Sequence, residues 1–557
     1  MSRPVCSIAK SYIRTECSYS RSNLATQLFA RRSSGLVKEA GLLDAFATGF
    51  MNQGLAFNFW LGSSFGLFLF PKADLVWAAF IAMVWCTAGQ GLVWGILGGS
   101  MPRSAGDYVY ASRILHPLIG VVNAAISGVF VIIAWLWTLS PLYVKPGFTT
   151  IFGMLGAADL VARVTQPGFT LLITTLAIFY GFIFGGLMRL RYFALQQRVL
   201  MVLALATFSI VMFVGLSHSH QDFVNAWNVL AKQYGSYDYQ GLINAVKAQG
   251  YPVGTGVDWV STIGLATSVY GWWAEYAYVT VFISGEVKRP ERNLIVAQTS
   301  AVVVPGLLMM LVGFLLQNVI GREFTVASAY VEQAGLSGYN MPFTPDFVTL
   351  SGIFTTNKLL LIVMGSTILL SCLIWMPLQF VAAPRYLMAF GMDRLGPKWF
   401  TDVNPRTHTL LKNCIFVFIV AELGVIGYLL NPVLGSWIGG SANTVVQYVT
   451  TFTVAALCAI AFPFVKKARH IWNASPHNWK IGPIPLATIA GIISLSYFWI
   501  GGYFYFSAPA LYGAWQIWVP MLIGVTVFMV IWYYAFKARA AKEGVDISLA
   551  FKELPPE

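Results

Sequence analysis

The sequence predicts an all-α integral membrane protein with twelve transmembrane helices. Three observations carry this. The chain of 557 residues is 57% hydrophobic and 10% charged, with a mean hydropathy of +0.67, whereas soluble domains carry roughly 25% charged residues. Its apolar residues fall into runs long enough to cross a bilayer, which takes roughly 20 residues per helix. Its basic residues gather in the short joints between alternate runs.

The twelve runs are 42–70, 75–98, 117–140, 168–188, 197–216, 258–283, 294–319, 357–383, 410–430, 443–465, 485–508 and 514–536. An even number puts both termini on one side. The N-terminal tail 1–40, the joints after spans 2, 4, 6, 8 and 10, and the C-terminal tail 537–557, together with Arg198 and Lys412 at the adjoining ends of spans 5 and 9, hold 28 of the 35 lysines and arginines. By the positive-inside rule that face is cytosolic, and the expected location is the cell membrane. A count of eleven or thirteen spans would scramble this partition.

Composition also narrows the partners. The formal net charge of +13 sits in loops between apolar runs, a topology signal and not a nucleic-acid footprint. The lipid bilayer is the expected surrounding. Cys6 and Cys17 lie in the N-terminal tail; Cys86, Cys372, Cys414 and Cys458 lie in or beside apolar runs. No Cys-x-x-Cys, Cys/His cluster or His-Glu-x-x-His spacing is present, so neither a disulfide framework, a metal site nor a cofactor is expected. The first ~40 residues lack the apolar core of a secretory signal and read as a cytosolic tail. Two outward loops, 217–257 and 320–356, are long. They read either as caps over a substrate path or as solvated linkers with short amphipathic helices.

Span 1 is too long for one straight crossing at ~1.5 Å per residue, and its middle is chemically broken: Gly49, Asn52, Gln53, Gly54, Asn58, Gly62, Ser63, Ser64. Span 6 carries a comparable break: Gly264, Ser268, Tyr270, Gly271, Trp272, Trp273, Glu275. Glycine-interrupted spans in matching positions of two halves point to a midplane binding site. Unwinding frees N–H and C=O groups that hydrocarbon cannot satisfy. A zwitterion can: its carboxylate takes N–H groups at a half-helix N-terminus and its ammonium takes freed carbonyls. The competing reading is that these glycines only let helices pack closely.

Four joints carry further information: Met101-Pro-Arg-Ser-Ala-Gly-Asp-Tyr-Val-Tyr110 with Ser112-Arg-Ile-Leu-His-Pro117; Ser284-Gly-Glu-Val-Lys-Arg-Pro-Glu-Arg-Asn293; Pro384-Arg-Tyr-Leu-Met-Ala-Phe-Gly-Met-Asp-Arg394 running on to Pro397; and the tail from Asp546 to Leu554-Pro-Pro-Glu557. Their content and order resemble the amino acid–polyamine–organocation (APC) superfamily of secondary transporters, over roughly residues 36–557. Ala105 departs from the glycine usual there. The resemblance implies a five-plus-five inverted repeat of the leucine-transporter type, with repeat one about 41–216, repeat two about 258–465 and peripheral spans over 485–536. It also implies alternating access around broken spans 1 and 6. Many relatives read Gly-Ser-Gly at the first break. Here the matching positions are Asn52-Gln53-Gly54, and only Gly54 is retained. An α-amino acid is the default substrate; an amine, amide or aromatic amino acid is also compatible.

Asn52, Gln53, Gly54, Gly271, Trp272 and Trp273 are therefore the expected substrate-binding positions. Glu275 is the expected proton-coupling group or the counter-ion of a substrate ammonium, because a carboxylate inside a span costs ~2.5 kcal/mol upward and marks function by default. The alternative is a hydrogen-bonded structural Glu among Trp272, Trp273, Tyr276 and Tyr278. Glu422 in span 9 reads as structural, and Trp375 in span 8 as a further candidate for substrate contact. For sodium, the resemblance implies hydroxyls on span 8, here Ser366 and Thr367, with Ser371 one turn on. Hydroxyls in membrane helices also bond to their own backbone.

The expected function is a secondary amino acid transporter, with proton symport the leading form. An amino acid/amine exchanger or polyamine permease is the alternative, and a non-transporting receptor on the same shell is a third reading. Gly-Lys-Ser/Thr is absent, and the one Gly-x-Ser-x-Gly match, Gly62-Ser-Ser-Phe-Gly66, lies inside the apolar span 1 and not at a strand-to-helix turn, so an enzyme or an ATP-driven pump is not expected. Substrate, coupling ion, flux direction and oligomeric state are not encoded in any motif read here.

Overall fold

The computed structural model describes residues 35–441, 445–508, 511, 513 and 515–555. The expected tail residues 1–34 and the final Pro556-Glu557 lie outside the described residues. The fold is helical throughout, apart from a two-stranded hairpin, Lys480–Ile481 with Ile484–Pro485, and an isolated bridge between Ala40 and Val287. Among the described residues, nine helices are long and apolar enough to cross a membrane. They number ten if Val445–Ala461 and Lys466–Ala474, bent by 80°, form one span.

The broken spans are not among these nine, because neither half is long enough alone. Leu42–Asn52 ends at Gln53, and Gly54 turns the chain through the left-handed region (φ 59°) before Leu55–Leu69 begins. That conformation costs an L side chain roughly 1–2 kcal/mol, and a Cβ there would also run into the Tyr143 ring. The second break lies between Trp259–Thr267 and Gly271–Ala274, and a 3-10 helix, Tyr276–Glu286, carries the chain onward.

The long helix Lys358–Met392 lies at the centre and packs against Pro117–Met154 and Leu190–Leu216. Pro117–Met154 continues well past the expected end at residue 140. Pro141 and Pro146 do not terminate it, because a membrane helix with packed neighbours re-satisfies the carbonyls that a proline frees. The apolar side chains facing outward form a lipid-facing surface: Phe213, Leu359, Leu423, Trp499 and Ile531 are all exposed. Only 11% of the apolar window of Trp515–Lys542 is buried, so this helix rides on the outside.

The two long loops fold into short amphipathic helices, His220–Tyr234, Tyr239–Ala248, Arg322–Ala334 and Phe347–Gly352. They are packed and not merely solvated. Trp227 is fully buried against Phe324 at 4.7 Å, and Tyr239 stacks on Phe324 at 4.8 Å. Tyr251 donates to the Leu67 and Phe68 carbonyls. These helices form a cap tied to the end of the helix Leu55–Leu69.

Candidate functional site

The two breaks face each other. Asn52, the last residue of the first half-helix, donates through Nδ2 to the Tyr276 carbonyl at 3.0 Å. Asn58, one turn into the second half, donates to the Trp272 carbonyl at 3.2 Å and to the Gln53 carbonyl. Both amides thus satisfy carbonyls that unwinding has freed. Gln53 turns away from this seam and donates to the Ala301 carbonyl at 2.5 Å.

Beside the seam lies a cavity of about 440 Å³. Asn52, Asn58 and Trp272 line it, as do Tyr276 and Trp375. The rest of the wall is largely aromatic. Phe57, Tyr143 and Trp375 form a stack with centroid separations of 3.7 and 5.3 Å. Trp272 stacks on Phe65 at 5.9 Å, and Trp135 meets Tyr276 edge-on at 5.3 Å. The volume suits a small organic molecule. The polar groups are few and sit at the helix breaks, where the N–H groups of the half-helix starting at Leu55 begin.

Of the expected binding positions, Asn52 and Trp272 line the cavity, whereas Gln53, Gly54, Gly271 and Trp273 do not. Gly54 is held under Tyr143, as described. Trp273 is fully buried on the other side of its turn, against Phe59 and Tyr270. The two adjacent tryptophans therefore diverge.

Glu275 is 1% exposed, and neither of its carboxyl oxygens has a hydrogen-bond partner of good geometry. Its carboxyl and the Tyr448 hydroxyl both press on Gly271, closer than a Cβ there would tolerate, which gives Gly271 its reason to be glycine. Tyr448 donates to the Thr267 carbonyl at 3.2 Å. Its ring lies 5.0 Å from that of Tyr505, and the Tyr505 hydroxyl accepts from Trp272 Nε1. Tyr505 itself lines the cavity. Two tyrosines thus stand between the cavity wall and Glu275.

Sequence reasoning missed Tyr505 and Tyr448. The resemblance makes the helix Leu486–Ser507 peripheral, yet the structure packs it on the second break, where Tyr497 donates to the Ala266 carbonyl at 2.6 Å. Phe57, Trp135 and Tyr143 were equally hidden: Trp135 lies in span 3, which reads as a plain apolar run, Tyr143 lies beyond the expected end of that span, and Phe57 is an apolar side chain between the polar residues of the first break.

The hydroxyls expected for sodium are placed differently from one another. Ser366 donates to its own helix, at the Val363 carbonyl (2.7 Å), and Thr367 Oγ1 is buried without a partner. Neither lines the cavity. Among the described residues, no group of three or more His, Cys, Asp or Glu side chains is arranged to hold a metal ion. Glu422, read from the sequence as structural, accepts from Thr175 at 2.8 Å through Oε2, and its Oε1 is buried without a partner.

The four joints singled out in the sequence converge on the arginine-rich face. Arg113 is 1% exposed and pairs with Asp393 at 2.8 Å, while Tyr108 donates to the same carboxylate at 2.6 Å. Arg385 pairs with Glu286 at 2.6 Å. Ser284 donates to the Arg103 carbonyl at 2.6 Å. The tail joins in: Arg113 donates to the Ala550 carbonyl at 3.2 Å and faces the Phe551 ring at 5.1 Å, and Arg103 donates to the Pro555 carbonyl. Asp107 accepts from Tyr386 and Asn123. Burial pushes the Asp107 carboxyl up to about 6, against the opposing pull of the Tyr386 hydroxyl. This network seals the end of the bundle below the cavity.

A family model described as amino acid permease matches residues 56–532; the match begins just after the first break at Gln53-Gly54 and takes in the second break, three of the four joints and every cavity-lining residue except Asn52. No curated protein matches the chain.

Proposed function

The chain belongs to the amino acid permease family of the APC superfamily, and from that premise we propose that it is a proton-coupled secondary transporter of amino acids, working by alternating access. The two broken pairs, added to the nine apolar helices and the bent pair, give twelve spans. In this reading they are arranged as two inverted sets of five with two further helices, and both termini face the cytosol.

The observation that carries the reading is the cavity between two facing helix breaks, backed by an unpartnered carboxyl at Glu275. The substrate's carboxylate is received by the N–H groups at the start of Leu55–Leu69. Its ammonium is received by the carbonyls near Trp272 and Tyr276 and by the aromatic faces around them. The aromatic stack Phe57–Tyr143–Trp375 favours a substrate with a large apolar or cationic body.

Glu275 carries the coupling proton. Protonated, it rests buried beside the Tyr448 hydroxyl; ionised, it needs water or a cation. Its protonation therefore biases the segment carrying Trp272 between two arrangements, and a ligand that prefers one of them shifts the equilibrium accordingly. Tyr505 and Tyr448 supply the hydroxyl connection between cavity and carboxyl. In this reading the arginine-rich joints lie at the cytosolic end of the bundle and hold it closed.

Uptake of labelled amino acids and polyamines into proteoliposomes, with and without an inward proton gradient, tests this. Accumulation that requires the gradient supports symport. Flux seen only against preloaded substrate would replace symport with exchange, and no flux from folded protein would overturn the transport reading.

A further inference from the structure

A second cavity, about 320 Å³, lies at the opposite end of the bundle from the arginine-rich joints, beneath the cap. Glu332, Tyr339, Phe343, Thr149 and Thr344 are among its ten lining residues, and none of the ten is basic. Glu332 comes from the cap helix Arg322–Ala334. Its Oε2 is shielded from solvent and has no hydrogen-bond partner. Two neutral donors stand beside it, the Ser64 hydroxyl and Trp60 Nε1, the latter without a hydrogen bond of good geometry. The adjacent Gln333 donates to Ser64 Oγ at 3.1 Å. The base of the acid is thereby fixed to the half-helix Leu55–Leu69, whose Leu61 and Phe65 line the central cavity.

A shielded carboxylate without a counter-charge is costly to keep. The other acid nearby, Asp346, is already occupied: it accepts from the Val348 and Thr349 N–H groups at 2.7 and 3.0 Å at the start of Phe347–Gly352. Glu332 has only the neutral Ser64 and Trp60 groups beside it, and no basic side chain lines its cavity. The cavity offers what a cation needs, namely a carboxylate, the ring faces of Tyr339 and Phe343, and two threonine hydroxyls. Its volume exceeds that of a bare ion and suits a small organic molecule.

We infer that this cavity is a second binding site, distinct from the central one, for a primary ammonium group, with Glu332 as its counter-ion. The site rests on this geometry alone. Only the identity of its natural occupant, the ammonium of the transported substrate, rests on the transport reading.

The test uses the full-length protein in nanodiscs, with n-butylammonium as the probe and n-butanol as its neutral counterpart, binding being read by ligand-observed NMR. Wild type is expected to prefer the ammonium, and Glu332→Gln to weaken its binding by about tenfold or more. Unchanged binding in Glu332→Gln would overturn the site, as would failure of wild type to bind at about 100 mM. If Glu332→Gln does not fold, the two probes on wild type decide: equal affinity for ammonium and alcohol overturns the assignment. Uptake is a separate readout. Absence of all uptake with Glu332-dependent binding intact would remove the transport reading and leave this site standing.

Discussion

The Asn52 side chain donates to the Tyr276 carbonyl at 3.0 Å, binding the first helix break to the second across 224 residues of chain. This bond fixes the relative position of two segments that would each be unstable in hydrocarbon. It also leaves Asn52 on the wall of the cavity, so the residue both builds the seam and faces the occupant.

Replacing Asn52 with Ala removes the donor and leaves a buried carbonyl unpaired, a cost of about 1–3 kcal/mol. The expected outcome is a loss of about tenfold or more in uptake rate, with near-normal expression and a modestly lower melting temperature. Initial-rate uptake beside a thermal melt checks this. A rate within twofold of wild type would contradict the seam.

Gly54 is required by its backbone conformation. Gly54→Ala places a Cβ at φ 59° and against the Tyr143 ring, at about 1–2 kcal/mol for the backbone alone. Gly54→Ala is expected to abolish most uptake. Gly54→Ala combined with Tyr143→Phe should not recover it, because the backbone strain remains. Full activity in Gly54→Ala would mean that the break is not needed.

The Arg113–Asp393 pair is expected to hold both the closed end and the tail. Asp393→Ala leaves a buried guanidinium uncompensated, at about 3–5 kcal/mol. The tail then loses its anchor at Ala550. Limited trypsin digestion should cut at Lys552 faster in Asp393→Ala than in wild type. Equal cleavage rates would show that the tail is held by other contacts.

Asp107 makes the same face sensitive to pH. Its carboxyl is raised by burial to about 6 from an ordinary value of 3.8. A raised folded-state value means that its contribution is fully present below about pH 4 and is lost as pH rises through about 6. Asp107→Asn keeps the neutral form at every pH, and the orphaned Asn123 Oδ1 can accept from the new amide. Wild type and Asp107→Asn should therefore melt at similar temperatures at pH 4 and diverge by pH 7.5, with Asp107→Asn the more stable. Parallel curves across that range would contradict the assignment.

Much of this was legible in the sequence, because its signals are local. The glycines and amides at 52–54 and 268–271 marked both breaks, and the joints around Arg113, Glu286 and Asp393 marked the sealing network. What the sequence could not show is direction. Trp272 and Trp273 are neighbours, yet one lines the cavity and the other packs on Phe59; the single helical turn Gly271–Ala274 is too short for a sequence period to assign their faces. Trp135 and Tyr505 were invisible because an aromatic residue in an apolar span looks the same whether it faces lipid, a neighbour or a cavity, and Tyr143 because it lies beyond the expected end of span 3. The continuation of Pro117–Met154 through two prolines was hidden because neighbouring helices, and not the segment itself, satisfy the freed carbonyls. Glu332 was read as part of a loop, since only the packed cap makes it a shielded acid.

The most direct test of the central claim is proton-driven accumulation measured for wild type and Glu275→Gln in the same proteoliposomes. The account predicts that wild type accumulates substrate only under an inward proton gradient, and that Glu275→Gln binds substrate and equilibrates it but no longer responds to the gradient. Gradient-dependent accumulation by Glu275→Gln at the wild-type level would contradict it and return Glu275 to a purely structural role.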